Sequence, residues 1–167
     1  MRLIVADTGP LLHLHEAGAL HLFGLLGEVH VTPAVVRELE RHAPDIWAGA
    51  VPAWLRFAHP AATADARAAQ WIAGGLLDAG EAESLAHAEE IKPDLFVTDD
   101  SAARLMADSL PVPARGSLGI ILLCAVHGHL SKQDAEQHLR ALTERTTLWL
   151  SSQVRRAATE ALTEIFR

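Results

Sequence analysis

The sequence predicts an α/β fold in which a mostly parallel central sheet lies between two layers of helices (α/β/α). The apolar runs Leu3–Ala6 and Leu95–Thr98 are short and nearly uninterrupted, as in strands buried on both faces of a parallel sheet. Segments with helical periodicity separate these runs, and strands that alternate with helices form three-layered α/β domains. Because 167 residues, half of them apolar, suffice for one compact core, we expect residues 1–167 to form a single domain.

The first half of the chain contains further strand candidates and clear helix starts. Pro10 lies in the first turn of a helix that Gly18 ends, and Thr32-Pro33 is typical of a helix start. The predicted elements after the first strand are a helix with Leu11, Leu12 and Leu14, a helical stretch through Leu26, a strand at Val29–Val31, a helix at Ala34–Arg41 and a short strand at Trp54–Ala58.

The second half of the chain is mainly helical. Gly74-Gly75 and Lys92-Pro93 each follow a helical stretch and end it. The predicted helices span Ala61–Ala73, Gly80–Ile91, Ser101–Ser109, Ser117–Val126, Ser131–Arg145 and Gln153–Phe166, and one late strand is predicted at Leu148–Leu150.

The composition excludes some classes of protein. A net charge of −7, from 21 acidic and 14 basic residues, argues against a protein that coats nucleic acid through a basic surface, although it permits an enzyme with an acidic metal site. Cys124 is the only cysteine, so no intrachain disulfide or thiolate metal cage can form, and its apolar neighbours predict a buried thiol. No apolar stretch approaches the roughly 20 residues that span a bilayer, and we expect a soluble, cytoplasmic protein without membrane attachment.

Carboxylates follow two of the predicted strands directly. Asp7 comes after the first strand, and the pair Asp99-Asp100 comes after the strand at Leu95–Thr98. In parallel α/β sheets ligands bind at the carboxyl ends of the strands, so these side chains are expected at one edge of the sheet. Each aspartate taken alone is equally typical of a residue that caps the following helix.

Two glutamates have a helical phase that turns them inward. Glu38 lies three residues after Val35 at the edge of an apolar stripe, whereas Arg37, Glu40 and Arg41 fall on the solvent side. Glu81 shares its helix face with Leu85 and Ala88. Glu81 also suits a simpler role, because an acidic residue at a helix N-terminus interacts favourably with the helix dipole.

Carboxylates gathered at one edge repel one another, so such a group persists by sharing a proton or by holding a cation. All-oxygen ligation without cysteine suits Mg²⁺ or Mn²⁺. One ion can activate water, and a second can stabilise a leaving oxygen. The residues alone therefore predict a divalent-metal site at a sheet edge.

The order of the acidic motifs resembles that of PIN domains, and is closest to the branch related to VapC-like toxins. The resemblance covers nearly the whole chain. The matching segments are Asp7-Thr8-Gly9-Pro10-Leu11, Pro33-Ala34-Val35-Val36-Arg37-Glu38-Leu39, Asp78-Ala79-Gly80-Glu81-Ala82-Glu83, Val97-Thr98-Asp99-Asp100 and Gly116-Ser117-Leu118-Gly119.

The resemblance implies a metal-binding acidic site formed by Asp7, Glu38, Glu81 and one or both of Asp99 and Asp100. Asp100 matches the family's Thr-x-Asp pattern best, and Asp99 is a rival because successive strand side chains point to opposite faces. Many toxin members carry aspartate where this chain has Glu81, whose longer arm keeps the charge but alters the metal geometry.

The resemblance also implies a function and partners. The expected activity is that of an Mg²⁺- or Mn²⁺-dependent endoribonuclease that hydrolyses RNA phosphodiester bonds, with Asp7, Glu38, Glu81 and Asp100 as catalytic residues. A toxin would form homodimers and bind a small antitoxin protein. The alternative is a catalytically inactive PIN-like module that binds protein.

Other motifs suggest competing interpretations. Asp7-Thr8-Gly9 also occurs in aspartic proteases, but those enzymes are all-β and this chain is rich in helical periodicity. A phospho-acceptor receiver domain needs its acidic pair after the first strand, whereas here the pair follows a late one. The histidines of His13-x-His15 and His127-x-His129 do not share a helix face, which favours exposed or capping roles. The candidate phosphate contacts, each also explained as an ordinary surface residue, are Arg104, Arg115, Lys132, Arg155 and Arg156.

Overall fold

A computed structural model describes residues 2–48 and 50–167, which contain a five-stranded sheet in the order β3-β2-β1-β4-β5. Every strand pair is parallel. The predicted α/β fold with a parallel central sheet is therefore confirmed. The strands are β1 (Arg2–Ala6), β2 (Gly27–Val31), β3 (Leu55–Phe57), β4 (Leu95–Val97) and β5 (Ala114–Arg115).

Helices cover both faces of the sheet. In β1, Ile4 and Ala6 belong to one buried cluster and Val5 to another, so the strand is buried on both faces as its continuous apolar sequence predicts. The helices are α1 (Thr8–Glu16), α2 (Leu22–Leu26), α3 (Pro33–His42), α4 (Ala62–Ala73), α5 (Ala79–Ile91), α6 (Ser101–Ser109), α7 (Ser117–Val126), α8 (Lys132–Glu144) and α9 (Ser152–Ile165). Residues of α1, α2, α3, α7, α8 and α9 pack in the first cluster, and residues of α4, α5 and α6 pack in the second.

The strand order reverses between β1 and β4. From β1 the chain moves outward to β2 and β3, and then returns to add β4 and β5 on the other side of β1. The Asp7 N–H donates to the carbonyl of Val97 at 2.9 Å, which holds the carboxyl ends of β1 and β4 side by side. Ligands of open parallel sheets bind in the crevice at such a reversal, so Asp7 and the residues after β4 occupy the expected position for a site.

Two strand assignments differ from the sequence prediction. The strand predicted at Leu148–Leu150 is wrong, because this segment is irregular and pairs with no described strand. Leu148 packs on the core while Trp149 is 82% exposed, so the apolar sequence there reflects a surface segment. The sequence also missed β5, a two-residue edge strand after Pro113 that pairs with β4 and is too short to show a periodicity.

The predictions for Gly18 and Cys124 are confirmed. The helix α1 ends at Glu16, and Gly18 adopts a left-handed conformation with φ +67° just beyond it. Cys124 is fully buried, and burial raises the pKa of its thiol to about 11, which is consistent with a core residue. None of the helices in the described part of the chain is long and apolar enough to cross a bilayer.

Candidate active site

Asp7 is a buried carboxylate at the point where β1 ends and α1 begins. Its Oδ1 accepts the Thr8 N–H at 2.7 Å, and its Oδ2 accepts the Thr98 hydroxyl at 2.9 Å. Burial raises the pKa of Asp7 to about 7; the two hydrogen bonds oppose this rise, and the nearby charges of Glu81 and Glu38 add to it. Asp7 therefore caps α1, as the simpler interpretation predicts, and also belongs to a group of acidic side chains that includes Glu81 and Glu38.

Glu38 reaches this group from α3. Its carboxylate accepts a hydrogen bond from the Thr8 hydroxyl through Oε2 and from the Gly80 N–H through Oε1, the latter at 3.1 Å. A Cβ atom at Gly80 would lie only 2.6 Å from Glu38 Oε2, so the absence of a side chain there allows the carboxylate to approach. The predicted inward phase of Glu38 is confirmed, and Arg37 is exposed as expected.

Glu81 lies in the first turn of α5, where its Oε2 accepts the Asp78 N–H at 2.7 Å. Burial raises the pKa of Glu81; the Asp78 N–H lowers it, and the charges of Asp100, Asp78 and Glu38 raise it further. Glu81 therefore interacts with the N-terminus of α5, as the simpler interpretation predicts. This interaction does not remove Glu81 from the acidic group, because the carboxylate lies within electrostatic reach of Glu38 and Asp100.

Asp99 and Asp100 turn to different neighbours. Asp100 caps α6, where its Oδ1 accepts the Ala103 N–H at 2.8 Å, and its charge acts on Glu81. Asp99 is bound on the other side, by the Ser117 N–H at 2.7 Å, the Ser117 hydroxyl at 2.5 Å and His13 Nδ1 at 2.7 Å. Asp99 is the alternative to Asp100 as a metal ligand because successive strand side chains point to opposite faces. The same alternation directs the two carboxylates to different neighbours.

The role expected of His13 needs correction. Its side chain is only 13% exposed and pairs with Asp99, so it is neither a surface residue nor a helix cap. His127 and His129 are exposed, as expected.

The acidic group offers carboxylate oxygens to a divalent cation. Within residues 2–48 and 50–167, no three Asp, Glu, His or Cys side chains converge into a ready-made cation cage. Each of the four carboxylates of Asp7, Glu38, Glu81 and Asp100 instead accepts hydrogen bonds from the protein. The candidate metal-ligand atoms are all carboxylate oxygens. A cation stabilises a buried carboxylate whose pKa is raised by burial and by like charges. The chemistry fits Mg²⁺ or Mn²⁺, and the ligand set remains a prediction.

A cleft opens two members of the acidic group, Glu81 and Asp100, to solvent. It has a volume of about 300 Å³ and is bordered by the acidic side chains of Glu81, Asp78 and Asp100 and by the apolar side chains of Ile72 and Leu76. Ile72 and Leu76 are exposed. A substrate can therefore reach Glu81 and Asp100 from the α4–α5 side of the sheet.

Sequence reasoning missed the residues that hold the carboxylates in place. Thr8, Thr98, Gly80 and Ser117 each donate a hydrogen bond to an acidic side chain of this edge. Thr8, Thr98 and Gly80 lie inside the acidic motifs of the sequence, so a search for hydroxyls and glycines beside those carboxylates would have found them. Ser117 lies 18 residues from Asp99 in a segment without a carboxylate, and such a search would have missed it. His13 gives no such signal, because it lies 86 residues from Asp99.

Comparison with known proteins agrees with this architecture. A family model described as PIN domain matches residues 3–164. No curated protein and no solved structure matches the chain significantly. The matched range includes every strand except the first residue of β1, and all of the acidic residues described above.

Proposed function

The chain belongs to the PIN-domain family, and on this basis we propose that it is an Mg²⁺- or Mn²⁺-dependent endoribonuclease that hydrolyses RNA phosphodiester bonds. PIN domains are nucleases as a class, which supports the general activity. Family membership alone does not establish the metal dependence or the RNA substrate, and we propose both in addition.

One observation carries the proposal. Asp7 is buried at the reversal of the strand order, and its pKa is raised to about 7 by burial and then by the charges of Glu81 and Glu38. A fold gains nothing in stability from placing acidic groups together in this way, whereas a site for a divalent cation requires it. Helix capping accounts for Asp7 and Asp100, but it does not explain why the charges of both Glu38 and Glu81 act on Asp7.

The residues of the chain have distinct roles in the proposed site. Asp7, Glu38, Glu81 and Asp100 would hold the metal, which when bound would activate water and stabilise the leaving oxygen. Thr98 and Thr8 fix the orientation of Asp7, and Thr8 also fixes Glu38. Glu81 accepts the Asp78 N–H through Oε2, and its carboxylate would bind the metal while keeping this hydrogen bond.

Asp100 is our choice over Asp99 as the ligand from the β4 end. The charge of Asp100 acts on Glu81, whereas Asp99 is bound to Ser117 and His13. We assign Asp99 to positioning, since it ties α1 and the start of α7 to the end of β4.

The test is cleavage of a broad panel of labelled single-stranded and structured RNAs by the purified protein. We expect cleavage with Mn²⁺ or Mg²⁺, none with excess chelator, and none with Asp7→Asn. Cleavage that persists in both of those conditions indicates a contaminant or another mechanism. A folded protein that cleaves no RNA in the panel favours the alternative of an inactive PIN-like module that binds protein.

The assignment to the VapC-like toxins is a further part of the proposal, and it is supported by the order of the acidic motifs. A toxin is expected to form a homodimer, to arrest bacterial growth when expressed, and to be neutralised by a small antitoxin protein. Growth after induction of the wild-type chain and of Asp7→Asn tests this part. Equal growth of both strains at equal protein levels would contradict the toxin role and would leave the nuclease proposal standing.

A further inference from the structure

We propose that Arg104 contacts the sugar–phosphate backbone of the substrate next to the acidic site and positions it there. The proposal rests on the proposed nuclease function and identifies a residue that binds substrate.

Arg104 lies beside the acidic group without pairing to it. It is on α6 one turn after Asp100, and its backbone N–H donates to the carbonyl of Asp100 at 3.1 Å. Its Nη1 reaches the carbonyl of Thr98 in a long hydrogen bond of 3.4 Å. The hydroxyl of the same Thr98 donates to Asp7. One residue therefore connects the Arg104 guanidinium to the buried centre of the site.

The local backbone makes room for this side chain. A Cβ atom at Gly116 would lie 3.2 Å from Arg104 Nη1 and 2.7 Å from Asp99 Oδ1. A residue with a side chain at this position would press on both groups. Gly116 thus keeps open the space through which the guanidinium extends along the edge of the sheet.

The guanidinium of Arg104 differs from those of several other arginines of the chain in its charge partners. The arginines Arg37, Arg56 and Arg67 form ion pairs with glutamates. Arg104 is half-buried, yet it forms no ion pair with a carboxylate of residues 2–48 or 50–167. A guanidinium has several N–H donors, and only one of those of Arg104 donates a hydrogen bond within residues 2–48 and 50–167. The remaining donors match the bidentate geometry with which arginine binds phosphate.

The net negative charge of the chain favours a role for the Arg104 guanidinium in binding an anionic substrate. A polyanionic substrate must approach an acidic site on a chain of net charge −7, and a positively charged side chain beside that site reduces the repulsion. The other candidate cations are placed less well. Arg115 is exposed and donates to its neighbour's carbonyl, and Lys132, Arg155 and Arg156 lie near the starts of α8 and α9.

The experiment compares Arg104→Gln and Arg104→Lys with Arg145→Gln, a control that removes the same charge elsewhere. Arg145 lines a hollow with Ala17 and Gly18 beyond the C-terminal end of α1, whereas Asp7 is at the N-terminal end of that helix. Binding of fluorescent single-stranded RNA is measured over a range of salt concentrations, with every substitution made in the Asp7→Asn background so that no cleavage occurs. Cleavage kinetics are measured with the same substitutions in the otherwise wild-type chain.

We expect Arg104→Gln to weaken RNA binding about tenfold at low salt and to lower the salt slope of log K by about 0.7, the value for one phosphate of a single strand. KM should rise with little change in kcat. Arg104→Lys should keep the salt slope, because the charge remains, and Arg145→Gln should leave binding, slope and KM unchanged.

Two results overturn the assignment. An unchanged salt slope with Arg104→Gln shows that Arg104 meets no phosphate, and a fall in kcat alone with a lower melting temperature shows that it only supports the fold. In both cases the nuclease proposal stands if the wild-type chain cleaves RNA. If the wild-type chain cleaves no RNA in the panel and Asp7→Asn binds none, the nuclease proposal itself fails, and the role of Arg104 fails with it.

Discussion

The carboxylate of Glu38 lies directly on the backbone of Gly80, whose N–H donates to Glu38 Oε1 at 3.1 Å. This contact joins α3 to the first turn of α5, and a Cβ atom at Gly80 would come within 2.6 Å of the other carboxylate oxygen. The distance between the two helices at the acidic site is therefore set by a residue without a side chain.

Gly80→Ala is expected to reduce activity without much loss of stability. The added methyl group displaces the end of a flexible glutamate side chain, which costs little, but it moves a proposed metal ligand. Misplacement of a catalytic group by about 1 Å can lower the rate by roughly 10²-fold. Cleavage rate and melting temperature measure the two effects separately.

Gly9→Ala is the matched control for this substitution. Gly9 is the second residue of α1, as Gly80 is of α5, but a Cβ atom there would meet its nearest neighbours at 3.7 Å, an ordinary contact. Gly9→Ala should stay active. Equal activity of the two variants would show that the position of Glu38 does not matter for the reaction.

Asp7→Asn should make the metal-free protein more stable at pH 8. The folded chain holds a proton on Asp7 up to a pKa of about 7, raised by burial and then by the charges of Glu81 and Glu38, whereas the unfolded chain releases it near 3.8. The stability contributed by this proton is present below pH 3.8 and is lost as the pH rises to about 7. Asparagine carries no such charge and can still accept the Thr8 N–H.

Urea unfolding in chelator at pH 5 and pH 8 measures this effect. The stability advantage of Asp7→Asn over wild type should be larger at pH 8 than at pH 5. An equal or opposite difference would mean that the ionised Asp7 is not destabilised in the fold.

Mn²⁺ should stabilise the wild-type protein and fail to stabilise Glu38→Gln. A ligand that binds only the folded chain adds about 2.7 kcal/mol to the free energy of unfolding at a hundredfold excess over its Kd. Glu40→Gln is the control, because Glu40 lies exposed on the same helix. Melting temperatures with and without Mn²⁺, and after chelation, report the binding even if no RNA substrate is known. Equal stabilisation of Glu38→Gln and Glu40→Gln would remove Glu38 from the ligand set.

Asp99→Asn should mainly reduce stability, whereas Asp100→Asn should mainly reduce activity and metal binding. Asp99 accepts hydrogen bonds from Ser117 and His13, so its amide variant is expected to lose roughly 1–3 kcal/mol of stability. Asparagine is as good an N-cap as aspartate, so Asp100→Asn should fold well but lose cleavage and Mn²⁺ stabilisation. The choice of Asp100 as the ligand is wrong if Asp99→Asn loses the Mn²⁺ response while Asp100→Asn keeps it.

The sequence by itself determined the architecture and the inward direction of Glu38. Uninterrupted apolar runs such as Leu3–Ala6 indicate strands buried on both faces, and that property follows from the order of neighbouring residues. The phase of Glu38 on its helix is likewise local, because it depends only on the helical repeat and on nearby residues such as Val35.

Only the tertiary structure decided which groups meet at the site. Asp99 and Asp100 are adjacent in sequence, yet one binds His13 and Ser117 while the other acts on Glu81. The same is true of Leu148–Leu150, which is apolar enough for a strand but pairs with no described strand. These outcomes depend on contacts between residues far apart in the chain, which no local pattern encodes.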